Sequence, residues 1–418
     1  MNPLYNAGIA LYGAGVAVAS LRSAKVAEMR RGQRETLRTL ADERRRVAPD
    51  GYDLWMHVAS LGEFEQGRPL LERLRAERPG TRVLLTFFSP SGYRVRRNYA
   101  GADTVAYLPL DTPANARAFM DAAAPRSAIF VKYEFWGNYL EQLRLRGIPT
   151  YLISAIFRPG QRFFRRGAGM FRNILAAFTH MYVQDAASQR LLGSIGYDNV
   201  TVAGDTRFDR VTDILRAARP LPLIEQFCSR PGRTFIAGSS WGPDEDVYMP
   251  WLNANPAVRA IVAPHEFDDA RLQHLLQRLG TGARLLSQIE AEGSVPADCR
   301  AIVVDSFGLL SSIYRYGDIA YIGGGFGTGI HNINEAAVYG IPVVFGPRHA
   351  KFKEATDLIA CGGAFETDGR ASFEGLMQTL ADADARTRAG KAAGAYISRN
   401  IGATDRIFND IYNNPKNL

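Results

Sequence analysis

From Tyr52 onward the chain alternates short β-branched or aromatic runs with amphipathic stretches, the pattern of βα units whose parallel strands are buried on both faces. The runs predict strands at Leu54 to Val58, Arg82 to Phe88, Thr104 to Leu108, Ala128 to Val131, Thr150 to Ile153, Met181 to Gln184 and Val200 to Ala203. Helices such as Glu65 to Glu77 and Pro113 to Ala123 fit between them. After Asp209 a helical piece leads into a turn at Pro220 and Pro222, a short helix and a second turn at Pro231, which reads as an inter-domain linker. The alternation then restarts, with strands predicted at Thr234 to Ala237, Arg259 to Val262, Ala301 to Val304, Ile319 to Ile322 and Pro342 to Phe345; from Ser372 the chain is mostly helical. The pattern predicts an α/β protein with two Rossmann-like, doubly wound domains over residues 49–212 and 213–395. A separate N-terminal segment, 1–48, precedes them and a C-terminal helix, 396–418, follows. Two such domains imply a ligand cleft between them, because open α/β sheets bind at the carboxyl ends of their strands.

The N-terminal segment has a different pattern. Pro3 to Leu21 carries only Asn6 and Ser20 as clearly polar side chains, and its strictly apolar part, Ala7 to Ala19, is 13 residues long. A full membrane span takes about 20 apolar residues, so this reads as a monotopic anchor or a short signal-anchor. The positive charges follow the apolar run instead of preceding it, which argues against a cleaved secretory signal. Between Arg22 and Arg46 nine basic residues stand against four acidic ones, so this stretch holds five of the net eight positive charges of the 418-residue chain. They place the body of the protein in the cytoplasm and attract an anionic membrane surface. The alternative is a helix packed on the protein itself, against which Gly8, Gly13 and Gly15 speak.

Composition narrows the remaining classes. With 46% hydrophobic and 22% charged residues, neither a polytopic membrane protein nor a disordered chain fits. Cys228, Cys299 and Cys361 are widely spaced and form no CxxC pair, so a reducing compartment is expected and a disulfide framework or zinc cage is not. His265 and Glu266 are adjacent, His331 and His349 are far apart, and no HExxH motif occurs. Catalysis is therefore expected without a metal or other cofactor.

The candidate chemistry lies just after the predicted strands. Ala59-Ser60-Leu61-Gly62-Glu63 follows the first of them. A carboxylate there, beside small residues and entering a helix, is placed to take a proton from an attacking hydroxyl, although a first-turn acid serves the helix dipole equally well. Lys132-Tyr133-Glu134-Phe135-Trp136 follows another strand. In an extended segment Lys132 and Glu134 point the same way, so they are expected to pair or to bind polar substrate groups.

In the second domain the run Gly323-Gly324-Gly325-Phe326-Gly327-Thr328-Gly329 is followed by His331, Asn332, Asn334 and Glu335. Glycines between a strand and a helix let backbone amides approach a phosphate at the helix N-terminus. Neither GxGxxG nor GxxxxGK[ST] is present, which favours the monophosphate of a nucleotide leaving group over a nicotinamide or a P-loop substrate. Ser239 and Ser240 after one strand and His265 after the next are expected to hold phosphate or ribose oxygens.

The stretch from Phe157 to Arg166 interleaves Arg158, Arg162, Arg165 and Arg166 with phenylalanines. That chemistry suits an anionic membrane interface or a phosphorylated lipid head group. Single-stranded nucleic acid uses the same contacts, but the N-terminal anchor points to the membrane and no nucleic-acid partner is expected.

In order and spacing these segments resemble one family, the 3-deoxy-D-manno-octulosonic acid (Kdo) transferases of lipopolysaccharide assembly. The resemblance covers nearly the whole chain: the N-terminal hydrophobic segment, ASLGE (59–63), KYEFW (132–136), GDTRFD (204–209), GSSWGPDE (238–245), VVDSFGLLSSIYRYGDIAYIGGGF (303–326), HNINEAA (331–337) and FGPRHAKF (345–352). It implies an inverting, metal-independent glycosyltransferase of GT-B type at the cytoplasmic face of the inner membrane. The donor it implies is CMP-Kdo and the acceptor a phosphorylated lipid A precursor. It also implies Glu63 as general base and Glu134 as a second essential acid. The CMP site it implies comprises Ser239, Ser240, the glycines Gly324, Gly325 and Gly327, Asn332, Asn334 and Glu335, to which His265 and His331 are added. Ser60, Gly62, Lys132, Arg158, Arg162, Arg165 and Arg166 are assigned to the acceptor. Three departures from the family pattern stand out: Pro264-His265-Glu266 replaces PRH, Gly329-Ile330-His331-Asn332 replaces GGHN, and Ala336 replaces a proline. The first removes an arginine expected near the nucleotide phosphate. Two alternatives are a sugar-nucleotide epimerase, or a transferase for another sugar, on the same fold and a basic membrane-surface scaffold without activity.

Overall fold

The computed structural model describes residues 3–165 and 167–414, which fall into two compact units. The first takes in the chain up to Arg210 together with the residues from Ile401 onward, and the second runs from Val211 to Asn400.

The first unit holds seven parallel strands: β1 (Leu54–Val58), β2 (Val83–Phe87), β3 (Thr104–Tyr107), β4 (Ala128–Val131), β5 (Thr150–Ala155), β6 (His180–Val183) and β7 (Val200–Val202). Their order is β3-β2-β1-β4-β5-β6-β7, so the direction of winding reverses between β1 and β4. Alternate residues serve opposite faces. Trp55, Leu84, Phe130 and Leu152 join one core, whereas Met56, Leu85, Ile129 and Ile153 join the other. Both faces being apolar, the strands read as the continuous hydrophobic runs seen in the sequence. The chain returns to this unit at its end: the helix Ala383–Asn400 belongs to the second unit, but Ile407, Phe408 and Ile411 are buried in the Met56 face of the first sheet. Asp209 fixes that return by accepting from the Gly402 and Thr404 amides, at 2.5 and 2.7 Å.

Two helices precede the sheet. Helix α1 (Pro3–Arg22) is long and apolar enough to cross a membrane, with a mean hydropathy of 1.4, and none of its residues is buried. Helix α2 (Ala24–Val47) starts at the Ser23 cap and is amphipathic, burying Met29 and Leu40 while Arg31, Arg34, Arg38, Arg45 and Arg46 are exposed. After β1, helix α3 (Leu61–Glu77) packs Phe64, Leu70, Leu71 and Leu74 on the sheet.

The second unit has strands β8 (Thr234–Ser240), β9 (Arg259–Pro264), β10 (Ala283–Leu285), β11 (Ala301–Val303), β12 (Ile319–Ile322), β13 (Val343–Phe345) and β14 (Ala364–Glu366). All pair in parallel, in the order β10-β11-β9-β8-β12-β13-β14, and the winding reverses between β8 and β12. The hydrophobic pattern does not reveal β10 and β14. They are edge strands of three residues each, partly open to solvent, and carry too few apolar positions to stand out.

Candidate active site

Ligands of open α/β sheets bind where the winding reverses, at the carboxyl ends of the two strands that flank the switch. In the first unit those strands are β1 and β4, and the segments that follow them carry Glu63 and Lys132 to Trp136.

Glu63 lies in the first turn of α3. The Ser60 hydroxyl accepts from the Glu63 amide at 3.4 Å, and Glu63 Oε2 accepts from the Ala59 and Ser60 amides at 2.7 and 3.2 Å, closing a capping box. Ser60 is thus an element of helix capping, and the same two amides fix the Glu63 carboxyl at the end of β1. Burial, followed by the charge of Glu134, pushes that carboxyl up to about 7, against the Ala59 amide, Lys132 and the Ser60 amide. Gly62 is exposed on the same turn.

Lys132 and Glu134 do not alternate along an extended strand. The ladder ends with the Lys132 amide bonded to Ile153 O at 2.9 Å, and Lys132 then turns with φ +66°. As a result Lys132 stays half-buried, its ammonium 5.3 Å from the centroid of the Tyr133 ring, while Glu134 is 7% exposed. Glu134 Oε2 lies 3.1 Å from His57 Nε2 and accepts from Trp136 Nε1–H. His57 Nδ1 lies 2.9 Å from Thr86 Oγ1, which accepts from Trp55 Nε1–H at 2.8 Å. Trp136 Nε1–H also donates to His57 Nε2 at 3.2 Å, so the indole meets both the imidazole and the Glu134 carboxylate. His57 was not singled out from the sequence. Its signal was a lone polar residue in the otherwise apolar strand LWMHV.

The arginine and phenylalanine stretch after β5 separates into two faces. Phe157 and Phe163 are buried in the core, whereas Arg158, Arg162 and Arg165 are exposed; Arg166 lies outside the described residues. Phe157 and Phe163 are packing, Phe164 is half-buried against the same core, and the arginines meet solvent. Arg162 sits over the Phe171 ring at 5.4 Å. A pocket of about 560 Å³ opens there, lined by Tyr5, Tyr133, Phe135 and Phe163 and edged by Arg162 and Arg165.

In the second unit the flanking strands are β8 and β12, followed by Trp241 and by the glycine run. Strand β8 extends through Ser240, so this residue is buried instead of presented to a ligand. Its hydroxyl donates to Glu245 Oε1 and accepts from Tyr248 OH, both at 3.1 Å. Ser239 is half-buried and holds a left-handed backbone, φ +53°.

Most of the glycines are needed by the chain itself. A Cβ on Gly323 would stand 2.2 Å from Ser239 O, and one on Gly325 would stand 2.5 Å from the backbone of Gly346. Gly324 has φ +92°, and a Cβ there would be 2.3 Å from Gly329 O. The amides of Gly324 and Gly327 do not point at an empty phosphate site: the first donates to Asp244 Oδ2 and the second to Gly324 O, both at 2.9 Å. Asp244 also accepts from the Trp241 amide and Tyr321 OH, so the Gly324 amide is held by a carboxylate of the protein. Gly327 alone among these glycines has room, its Cβ meeting nothing closer than 3.6 Å.

The rings of His265 and His331 stack at 4.2 Å, His265 and Trp241 lie 4.7 Å apart, and Trp241 Nε1–H donates to His331 Nε2 at 3.2 Å. Burial and the neighbouring His265 push His331 down to about 4, so it is neutral at physiological pH and accepts the indole proton. Asn332 is exposed and donates to Glu335 Oε1 at 2.9 Å, while Asn334 is buried. Arg348 is exposed. Its amide donates to Gly325 O at 2.9 Å and its guanidinium to Gly327 O, which brings a cation to the rim of the glycine loop. Neither Arg348 nor Asp244 was singled out individually from the sequence, since the contacts that matter are with residues 21 and 80 positions away. Among the described residues no three His, Cys, Asp or Glu side chains come together as a metal-binding group.

Comparison with known proteins adds three findings. The family model described as 3-deoxy-D-manno-octulosonic-acid transferase (kdotransferase) matches residues 26–210. The chain is 31% identical over 388 residues to 3-deoxy-D-manno-octulosonic acid transferase of Bordetella pertussis, covering 87% of this chain and 88% of that one. The enzyme of the same description from Haemophilus influenzae is 26% identical, covering 86% of each chain. Among solved structures, UDP-GlcNAc 2-epimerase from Neisseria meningitidis bound to UDP-GlcNAc superposes with a TM-score of 0.60 over 86% of this chain and all of that one. At 12% identity that likeness shows the fold alone, which is of GT-B type.

Proposed function

The chain belongs to the 3-deoxy-D-manno-octulosonic acid transferase family and is a glycosyltransferase, and from that premise we propose that it transfers Kdo from CMP-Kdo to a lipid A precursor in lipopolysaccharide assembly, with Glu63 as general base. The observation that carries this reading is the Glu63 carboxyl near 7 at the end of β1, beside the charge of Glu134. A base with that value is ionised in a useful fraction at neutral pH and still basic enough to take a proton in the transition state.

In the reaction, the acceptor hydroxyl oxygen bonds to the anomeric carbon of Kdo as the bond from that carbon to the CMP phosphate oxygen breaks. The electron pair leaves with CMP and the hydroxyl proton goes to Glu63. Attack opposite the leaving group inverts the anomeric configuration. Glu134, fixed by His57 and Trp136, sets the charge next to the base. Lys132 and the exposed Arg158, Arg162 and Arg165 receive anionic groups of the acceptor. In the second unit Ser239, Gly327, His265 and Asn332 remain accessible for CMP. Arg348 supplies the cation that Pro264-His265-Glu266 lacks, because the loop amides of Gly324 and Gly327 are already engaged. No metal enters the scheme. Helix α1 and the basic face of α2 hold the enzyme at the cytoplasmic face of the inner membrane.

The test is transfer from CMP-Kdo to a lipid A precursor by the full chain in detergent with EDTA present, with the product's anomeric configuration read by NMR. Transfer with inversion is expected. A retained configuration, or a strict need for a divalent ion, overturns the scheme.

A further inference from the structure

The helix Gly137–Leu145 begins two residues after Phe135 and has no cap of its own, since Trp136 at its start offers no side-chain acceptor. The first amides of a helix lack intrahelical partners and need acceptors from elsewhere. Here they find them at two distant points of the chain. The Gly137 amide donates to the Tyr5 hydroxyl at 2.9 Å, and the Asn138 and Tyr139 amides donate to Asp111 Oδ2 and Oδ1 at 3.1 and 3.0 Å. Tyr5 OH itself donates to Asp111 Oδ2 at 2.6 Å, and the Asn138 side-chain amide donates to Asn6 Oδ1 at 2.9 Å. Asp111 is completely buried, and these donors satisfy a carboxylate that has no access to water. Tyr5 and Asn6 belong to α1, the apolar helix otherwise read as a tether. The same helix sets Tyr12 against Phe88, whose ring lies 4.8 Å from that of Trp136 at a tilt of 31°.

We propose that α1 is part of the catalytic architecture: Tyr5 and Asp111 are positioning residues that pin the turn Glu134–Trp136 from its far end, so that a helix lying at the membrane also holds an acid of the active site. The catalytic consequence rests on the reading of Glu134 given above. Between Glu134 and the pinned Gly137 amide there are two residues, so slack at that amide passes directly to the Glu134 carboxylate and to its Trp136 donor. A tether alone needs only the apolar surface of α1, which a phenylalanine at position 5 preserves.

The experiment compares the wild-type full chain with Tyr5→Phe and with Leu11→Ala, an exposed position of the same helix, in detergent micelles. Two quantities are measured: hydrogen exchange at the amides of Gly137 to Tyr139, and the kcat and KM of Kdo transfer. Tyr5→Phe removes both hydrogen bonds of the Tyr5 hydroxyl, a loss that changes a local equilibrium about five- to a hundredfold. In Tyr5→Phe the exchange is therefore expected to speed up by about that factor, with kcat lower by a similar factor and the KM for CMP-Kdo unchanged. Leu11→Ala is expected to match wild type in both. Should Tyr5→Phe fail to fold, Asn6→Ala, which removes only the Asn138 contact, tests the same direction with a smaller effect. Wild-type exchange in Tyr5→Phe, or faster exchange with an unaltered kcat, overturns the proposal and leaves α1 a tether. If the wild type transfers no Kdo, the functional reading fails, and the exchange rates still decide whether Tyr5 holds the turn.

Discussion

His57 Nε2 lies 3.1 Å from Glu134 Oε2, both side chains buried at the carboxyl ends of strands whose inward positions are mostly apolar. A carboxylate in such a place depends on its donors. Replacing His57 by Leu leaves Trp136 to support Glu134 Oε2, and an orphaned buried group costs about 1–3 kcal/mol. Chemical denaturation should show that loss for His57→Leu. The double variant His57→Leu with Glu134→Gln should cost less than the two single changes added together, because the second removes the charge that the first strands.

Burial and the Glu134 charge push Glu63 up to about 7, and the base role proposed for it requires the ionised form. The rate of Kdo transfer should therefore rise with pH through about 7 and level off above it. Burial is the main cause of the upward push and the Glu134 charge the second, so Glu134→Gln should lower the Glu63 value without restoring the ordinary carboxylate range. Carbon NMR of the Glu63 carboxyl reads this directly, whatever the variant's activity.

The same shift has a stability consequence of fixed sign. Between about 4.5, the ordinary value, and about 7 the folded state binds more protons at Glu63 than the unfolded state does, so stability falls as pH rises through that window. Glu63→Gln removes the titration and keeps the capping box, which glutamine also supports. The variant should gain on the wild type by up to about 3 kcal/mol on going from pH 4.5 to pH 8. Thermal unfolding across that range checks it.

The glycine loop predicts two unequal substitutions. Gly325→Ala pushes a Cβ to 2.5 Å from the backbone of Gly346, and overpacking of that kind costs about 1–3 kcal/mol. Gly327→Ala meets nothing closer than 3.6 Å and should unfold like the wild type, within about 0.5 kcal/mol. If Gly327→Ala nevertheless weakens CMP binding in calorimetry, that glycine serves the ligand and not the chain.

What was legible in the sequence follows from which forces are local. Strand positions came through because both faces of each central strand are largely apolar, and Glu63, Lys132 and the glycine run follow strands β1, β4 and β12 as their place in the sequence implied. The three-residue edge strands at 283–285 and 364–366 did not, for want of apolar positions. Composition also misled where one residue type has two uses. Phe163 among the arginines is buried and Phe164 partly so, Ser240 is inside a strand, and the close backbone approaches at Gly323, Gly324 and Gly325 require glycine there whatever the loop binds. His57 showed only as an exception within a strand, and the bond from Tyr5 to Asp111 spans 106 positions, a distance at which no local pattern carries information.

The most direct test of the account is Kdo transfer from CMP-Kdo to a lipid A precursor in the presence of EDTA, comparing the wild type with Glu63→Gln under conditions where both are shown to be folded. Loss of a general base costs about 10²- to 10⁴-fold. The account predicts transfer by the wild type and a loss of that order in the variant. Transfer by Glu63→Gln at the wild-type rate would contradict it.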